Sequence, residues 1–378
     1  MQIVSSIQGA VTLSIRWGII GCGDVTEVKS GPGFQRAEGS ELVAVMRRNG
    51  DLAADFARRH RVPKWYDDVD ALINDPEVDA VSVATPPGSH LEIALKVCAA
   101  GKPAYIEKPM ARTHLECCQI NSAFEKVGVP LFVAFYRRAL PLFVKAKEIV
   151  ESGQIGKVTG VSYRFASPSH LRTDPENLPW RFDAELAGGG LFMDLGCHTL
   201  DILDFILGPL QDVSGSAKHQ AAPYLVEDSL VMTFQTRSGG MGTASWNFSS
   251  FERDDAIEIS GTLGRLSFTT FSAEPLKLVT ATKSEAFDYS EDHVIRAQVY
   301  ANAPSRTELF DLPNPPHIQQ PLIQSVVNEL RGGERSPSNG ITAARTAKVM
   351  DVVLTSYYKG REDEFWLRPE TWGGNNKL

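Results

Sequence analysis

The sequence predicts two joined architectures: an α/β domain with a doubly wound parallel sheet, then an α+β domain with a large, mostly antiparallel, open-faced sheet. Three observations carry this. Short apolar runs alternate with helical patterns through the first third of the chain. A Gly-x-Gly turn follows the first run directly. From about Val158 the runs are punctuated by hairpin turns instead of helices.

The elements follow in order. Arg16–Ile20 is a short, partly apolar run ending at Gly21-Cys22-Gly23, and similar runs recur at Leu42–Val45, Val78–Ala84, Ala104–Ile106 and Leu131–Ala134. Helical patterns separate several of them: Leu52, Phe56 and Arg59 fall on one face of Asp51–His60, and Leu91, Ala94, Leu95 and Cys98 line another. Ser89-His90-Leu91-Glu92 fits a capping box at that second helix, and Gly101 is its expected stop. Gly31-Pro32-Gly33 is expected to interrupt the helix after the first turn. In the second part, Val158–Phe165, Ser229–Thr236, Gly242–Phe248, Ala256–Gly261 and Arg265–Thr269 read as strands, with hairpin marks at Gly239-Gly240 and Gly261-Thr262-Leu263-Gly264. The stretches 191–207, 320–331 and 343–358 read as helices, and the prolines of 292–320 suggest an extended crossing. Residues 1–15 form an N-terminal extension, 16–137 the Rossmann-type domain and 138–378 the second domain, whose C-terminal helix is placed to pack back on the first.

Composition narrows the function. Of 378 residues 43% are hydrophobic, and 38 basic against 46 acidic residues leave a net charge of −8, with no basic run for nucleic acid. The first fifteen residues lack the basic region of a signal peptide, and no apolar stretch approaches a membrane span. Five cysteines without CxxC spacing read as reduced thiols of a cytoplasmic protein.

Three motifs carry chemistry. Gly21 permits a tight bend and Gly23 a close approach of backbone to pyrophosphate at a helix start, with Cys22, Asp24 and Val25 completing the turn and Thr26 at the third glycine position. The second strand ends Val45-Met46-Arg47-Arg48-Asn49, without the carboxylate that would accept from a ribose hydroxyl; Arg47 and Arg48 suit a 2′-phosphate and favour NADP, with NAD possible. Glu107-Lys108-Pro109 closes a strand at the edge where such sheets bind ligands, and Pro109 keeps Lys108 out of the helical region. Asp194 and His198 are four residues apart, hence on one helix face and one turn apart, behind Gly188-Gly189-Gly190. With an unperturbed pKa of roughly 6.5, His198 is the natural general base, and Asp194 either binds a substrate hydroxyl or orients that base. A metal reading of the pair lacks a third ligand.

In this order and spacing the motifs resemble the Gfo/Idh/MocA family of nicotinamide-dependent sugar and polyol oxidoreductases, over about residues 16–360. The resemblance implies that Lys108 hydrogen-bonds the reacting oxygen and that Thr85, Pro86 and His90 belong to the cofactor-side loop. It further implies that Tyr136, Trp180 and Arg181 line the substrate pocket together with Lys108, Asp194 and His198. A small sugar, cyclic polyol or dihydrodiol-like substrate and a homodimer or homotetramer are expected, with no nucleic acid or membrane partner. Two alternatives share the fold: a dinucleotide-binding sensor without catalysis, and a glycosidase that uses NAD transiently.

Overall fold

The computed structural model describes residues 14–282 and 304–373, so residues 1–13 of the predicted extension and 292–303 of the predicted crossing lie outside the described residues. The first sheet holds β1 (Ile15–Ile20), β2 (Ser40–Met46), β3 (Lys64–Tyr66), β4 (Ala80–Val83), β5 (Ala104–Ile106) and β6 (Leu131–Val133), all parallel, in the order β3-β2-β1-β4-β5-β6. The order reverses between β1 and β4, which opens a crevice at their carboxyl ends. Trp17, Ile19, Ile20, Val81 and Val83 are fully buried because helices cover both faces. The three-residue β3 was not foreseen: Lys64 and Tyr66 turn their polar ends toward Asp75 and leave no apolar run to read.

Three local expectations are corrected. The helix after Gly23 is not interrupted at Pro32. Thr26–Ser30 winds as a π-helix straight into α1 (Gly31–Arg36), with Gly31 N–H bonded to the carbonyl of Thr26, five residues back. The widened turn accommodates a proline that has no N–H to give, and a Cβ at Gly31 would lie 2.3 Å from Thr26 O. In α2 (Gly50–His60) the buried stripe is Ala53, Phe56 and Ala57, whereas Leu52 and Arg59 face outward; Arg59 is drawn instead to Asp55 and Glu27. After α3 (Val69–Ile73), the box at Ser89 does not form. A 3₁₀ turn, Pro87–Ser89, precedes α4 (His90–Ala99), and Ser89 Oγ donates to Thr85 Oγ1 rather than receiving a helix N–H.

Past α5 (His114–Val127) and β6, a 3₁₀ turn at Tyr136–Ala139 leads through α6 (Pro141–Glu151) into the second sheet. Its strands are β7 (Val158–Ala166), β8 (Gln211–Lys218), β9 (Ser229–Gln235), β10 (Met241–Asn247), β11 (Asp254–Gly261), β12 (Gly264–Phe268), β13 (Leu276–Ala281) and β14 (Ser305–Phe310). They lie in the order β14-β13-β12-β11-β7-β10-β9-β8, antiparallel except for the β7–β10 pair. Alternation decides the faces: Leu230, Met232 and Phe234 point inward with Ala244 and Trp246, while Val231, Thr233, Met241 and Thr243 point out. Short α7 (Ala184–Ala187) and then α8 (Cys197–Leu207) lie between β7 and β8. Two C-terminal helices finish the chain: α9 (Gln320–Leu330) packs on α1, and α10 (Gly340–Tyr358) on α5, α8 and β8. Asn339 caps α10 in a complete capping box with Thr342.

Candidate active site

All three motifs meet at the carboxyl edge of the parallel sheet. Gly21, at φ +91°, donates its N–H to Met46 O (2.9 Å), and Cys22 does the same (3.1 Å), so the turn is clipped to the end of β2. A Cβ on Gly21 would meet Thr85 Cγ2 at 2.8 Å, whereas one on Gly23 would find nothing nearer than 4.0 Å. One glycine therefore seats the turn against the loop after β4, and the other leaves backbone open to the cleft. Thr26, where a third glycine is common, is fully buried and ties its hydroxyl to Gly23 O (2.6 Å). Asp24 is exposed and Val25 half-buried at the helix start, while burial pushes the Cys22 thiol up to about 11, which keeps it protonated. Arg47 and Arg48 are both exposed, and Asn49 beside them is committed to capping α2 (Leu52 N–H to Oδ1, 3.1 Å).

His90 is sealed at 0% exposure between Thr85 O (2.7 Å) and the carbonyls of Pro109 and Met110 (3.2 Å each), so it braces the Thr85-Pro86 loop from behind and has no face on the cleft. Glu107 accepts from Gln319 Nε2 (2.9 Å) and from the backbone N–H of Lys108 (3.2 Å), and burial raises its carboxyl above the ordinary range. The Lys108–Pro109 bond is cis.

Lys108 reaches across to the second domain. Its Nζ donates to Asp194 Oδ1 (2.5 Å) and Asp194 O (2.9 Å), and Arg181 Nε holds the other carboxylate oxygen at 3.0 Å. Burial works against both charges, yet each partner prevails: Asp194 is held below its ordinary value by Lys108 and Arg181, and Lys108 above its own by Asp194. The guanidinium of Arg181 stacks over Trp180 at 4.7 Å, and Trp180 is 37% exposed at the rim.

Asp194 and His198 lie on one continuous helical stretch whose first turn is widened. Residues Phe192–Gly196 form a second π-helical turn, with Cys197 N–H reaching back to Phe192 O, so four residues fall short of a full turn. Only glycine fits at 196, where a Cβ would lie 2.2 Å from the Phe192 ring. Asp194 faces Lys108, and His198 turns into a wall of ring edges from Tyr136, Phe271 and Phe135 (5.5, 6.0 and 6.3 Å). No hydrogen bond joins Asp194 to His198 among the described residues, so the carboxylate does not orient the ring. Tyr136 accepts from Arg137 Nη1 (2.9 Å), whose Nε donates to Thr270 O (3.1 Å).

Several supporting residues were not anticipated. Gly190 N–H sits 3.0 Å from both carboxylate oxygens of fully buried Glu227, which also accepts from Tyr358; Arg361 donates to Gly188 O (2.7 Å) and Arg112 O (2.6 Å). The triple glycine signalled a special turn, but nothing nearby in sequence named its partners. Burial pushes Glu227 from 4.5 up to about 7. The fold thus favours its neutral form, and the stability it contributes is present below the ordinary pKa and is lost as pH rises through about 7. Urea melts should show wild type losing about 1–3 kcal/mol relative to Glu227→Gln on going from about pH 5 to about pH 8. Parallel pH dependences in the two proteins would overturn this.

Among the described residues, no group of three or more His, Cys, Asp and Glu side chains is placed to hold a metal ion, the five cysteines are free, and no helix is long and apolar enough to cross a membrane.

Comparison with known proteins gives a consistent picture. Residues 15–135 match the model of an oxidoreductase family with an NAD-binding Rossmann fold, and residues 143–267 the GFO/IDH/MocA C-terminal domain. The chain is 34% identical to Oxidoreductase P35 of Formosa agariphila over 89% of its own length and 98% of that protein's. It is 29% identical to mouse trans-1,2-dihydrobenzene-1,2-diol dehydrogenase over 73% of this chain and 80% of that one. A levoglucosan dehydrogenase solved with NADH and levoglucosan shares the fold, with a TM-score of 0.76 at 24% identity over 91% of this chain and 97% of that one.

Proposed function

The chain belongs to the Gfo/Idh/MocA family of NAD(P)-dependent oxidoreductases acting on CH–OH groups, and on that premise we propose that it is an NADP(H)-preferring enzyme for a sugar, cyclic polyol or dihydrodiol-like substrate. The observation that carries the reading is the Lys108–Asp194 pair beside His198, at the carboxyl edge of a sheet whose first turn leaves backbone open for pyrophosphate. In this reading Gly21, Cys22, Gly23, Asp24 and Val25 cradle the pyrophosphate and Arg47 and Arg48 pair with a 2′-phosphate. Thr85 and Pro86, braced by His90, support the nicotinamide ribose, and Glu107 and Lys108 close that edge. The bound nicotinamide supplies or accepts the hydride. Lys108 presents its ammonium to the reacting oxygen, Asp194 accepts from a neighbouring hydroxyl, and Tyr136, Trp180 and Arg181 frame the ring of the substrate. Outward Val231, Thr233, Met241 and Thr243 on the open sheet favour assembly as a homodimer or homotetramer.

Titration of the purified protein with NADPH and NADH, followed by reduced-cofactor fluorescence against sugars, inososes and small diketones, tests the reading. Tighter NADPH binding and substrate-dependent oxidation are expected. Converting both arginines to serine should cut the NADPH preference by about tenfold to hundredfold, the worth of a charge-assisted hydrogen bond or two. Undiminished preference in that variant overturns the 2′-phosphate assignment, and binding of neither cofactor overturns the whole reading.

A further inference from the structure

We propose that the chain carries a second ligand site, on the far side of α8 from His198, and that it takes a small organic acid with one carboxylate on an apolar body. The site lies outside the catalytic cleft and stands whether or not the oxidoreductase reading holds.

A cavity of about 390 Å³ opens where three elements converge: the C-terminal half of α8, the entry to β8 over residues 209–213, and one face of α10. That volume is in the range of ligand pockets and well above a packing defect. Helical phase separates it from the active site. Leu200, in its wall, is two residues beyond His198, hence about 200° around a helix of 3.6 residues per turn, so the cavity and the histidine lie on opposite faces of α8. None of Lys108, Asp194, His198 and Arg181 lines it.

The lining sorts into an apolar floor and a cationic wall. Leu200 and Val349 are buried, and half-buried Leu210 and Val213 face them from the β8 side. On α10 the spacing of Arg345, Lys348, Val349 and Val352 is that of a single helical stripe, with the two cations one turn apart. Arg345 gives Nε and Nη2 to Asp204 (2.7 Å each), and Asp204 is also held by Arg138 (2.9 Å), so that carboxylate is already matched by two guanidiniums. Arg345 Nη1 and the Lys348 ammonium have no acceptor among the described residues. The hydroxyl of Thr346, in the same turn and buried, has none either.

Two cationic donors without acceptors, beside an apolar floor, match a carboxylate whose hydrocarbon end turns inward. An uncharged hydrocarbon would bring no acceptor to these donors, and a sugar would set its hydroxyls against the apolar floor. Asp212, exposed on the β8 side of the same cavity, disfavours a second negative charge on the ligand. A monocarboxylate therefore fits better than a phosphate ester or a dicarboxylate.

Calorimetric titration of the full chain with three probes that share one body tests this: phenylpropanoate, phenylpropanol and phenylpropylamine. The acid is expected to bind one per chain with a Kd below about 5 mM, and the alcohol and the amine at least about tenfold more weakly. Lys348→Glu, at an exposed position, is expected to weaken the acid by about tenfold or more and to strengthen the amine. Val352 lines the cavity and is exposed, so Val352→Trp fills the space without repacking the core and should abolish binding of the acid. Lys108→Ala should leave it unchanged, because the catalytic cleft is elsewhere. Melting temperatures confirm that each variant is folded. An amine that binds as tightly as the acid overturns the proposal, as does indifference to Lys348→Glu or Val352→Trp. Loss of binding in Lys108→Ala would move the acid to the catalytic cleft and overturn it too. So would weaker binding of the acid than expected to wild type; if Val352→Trp then also changes the oligomeric state, the cavity is a contact between copies of the chain.

Discussion

Lys108→Ala is expected to lower kcat by about a thousandfold or more while NADPH still binds. The loss is that of the electrostatic stabilisation that the ammonium gives to charge building on the reacting oxygen. Neither neighbouring arginine is free to replace that cation. Arg181 is committed through Nε to Asp194, and Arg137 to Tyr136 and Thr270. Binding survives because the Gly21–Gly23 turn and the arginines after β2 are not touched. Added methylamine should restore part of the rate, since it returns an ammonium to the space beside Asp194. Stopped-flow reduction of a carbonyl substrate, paired with NADPH fluorescence titration, measures both halves. A kcat within about tenfold of wild type would remove Lys108 from the reaction.

How much of this was legible depended on where each interaction lies along the chain. Five strands of the parallel sheet announced themselves, because burial on both faces demands largely apolar runs such as Leu131–Val133. β8, at the sheet edge, carries Gln211, Asp212, Ser214 and Ser216, and offers no such run. β13 and β14 flank residues whose sequence gave no clear period. The site motifs were readable because local geometry demands particular residues there: glycines where backbone must stay open, a lysine at a strand end. What failed was fine helical phase. Both π-helical turns, Thr26–Ser30 and Phe192–Gly196, fall inside motifs. A π-turn has no signature in apolar periodicity, since it adds one residue at one place.

Long-range polar pairings were also silent. Glu227 lies 37 residues from Gly190 and 131 from Tyr358, and reads in isolation as an ordinary acidic residue before a strand. The same holds for Arg138, the second arginine of the run after β6. Its neighbour Arg137 bonds Tyr136 and the carbonyl of Thr270, while Arg138 enters the core.

That core position sets the second large effect. Arg138 is 4% exposed, and its guanidinium bonds Asp201 at 2.8–2.9 Å and Asp204 at 2.9 Å; Asp204 is shared with Arg345 at 2.7 Å. Burial lifts Asp201 to about 6 even with Arg138 in place. Arg138→Leu strands Asp201 without its counter-ion, and about 3–5 kcal/mol of stability is expected to go. The double change Arg138→Leu with Asp201→Leu should recover most of it, because Asp204 keeps Arg345 and no uncompensated charge remains. Urea unfolding of the three proteins measures the series, and a double variant as unstable as the single one would show that packing, not stranded charge, sets the cost. Activity adds a second readout. Asp201 lies one turn beyond His198 on α8, so the ion pair anchors the helix that presents the histidine to the cleft. Arg138→Leu should therefore lower kcat under conditions where it is still fully folded, and the double variant should restore stability more completely than rate, because a leucine pair holds α8 by packing alone without the directional bonds that fix its rotation.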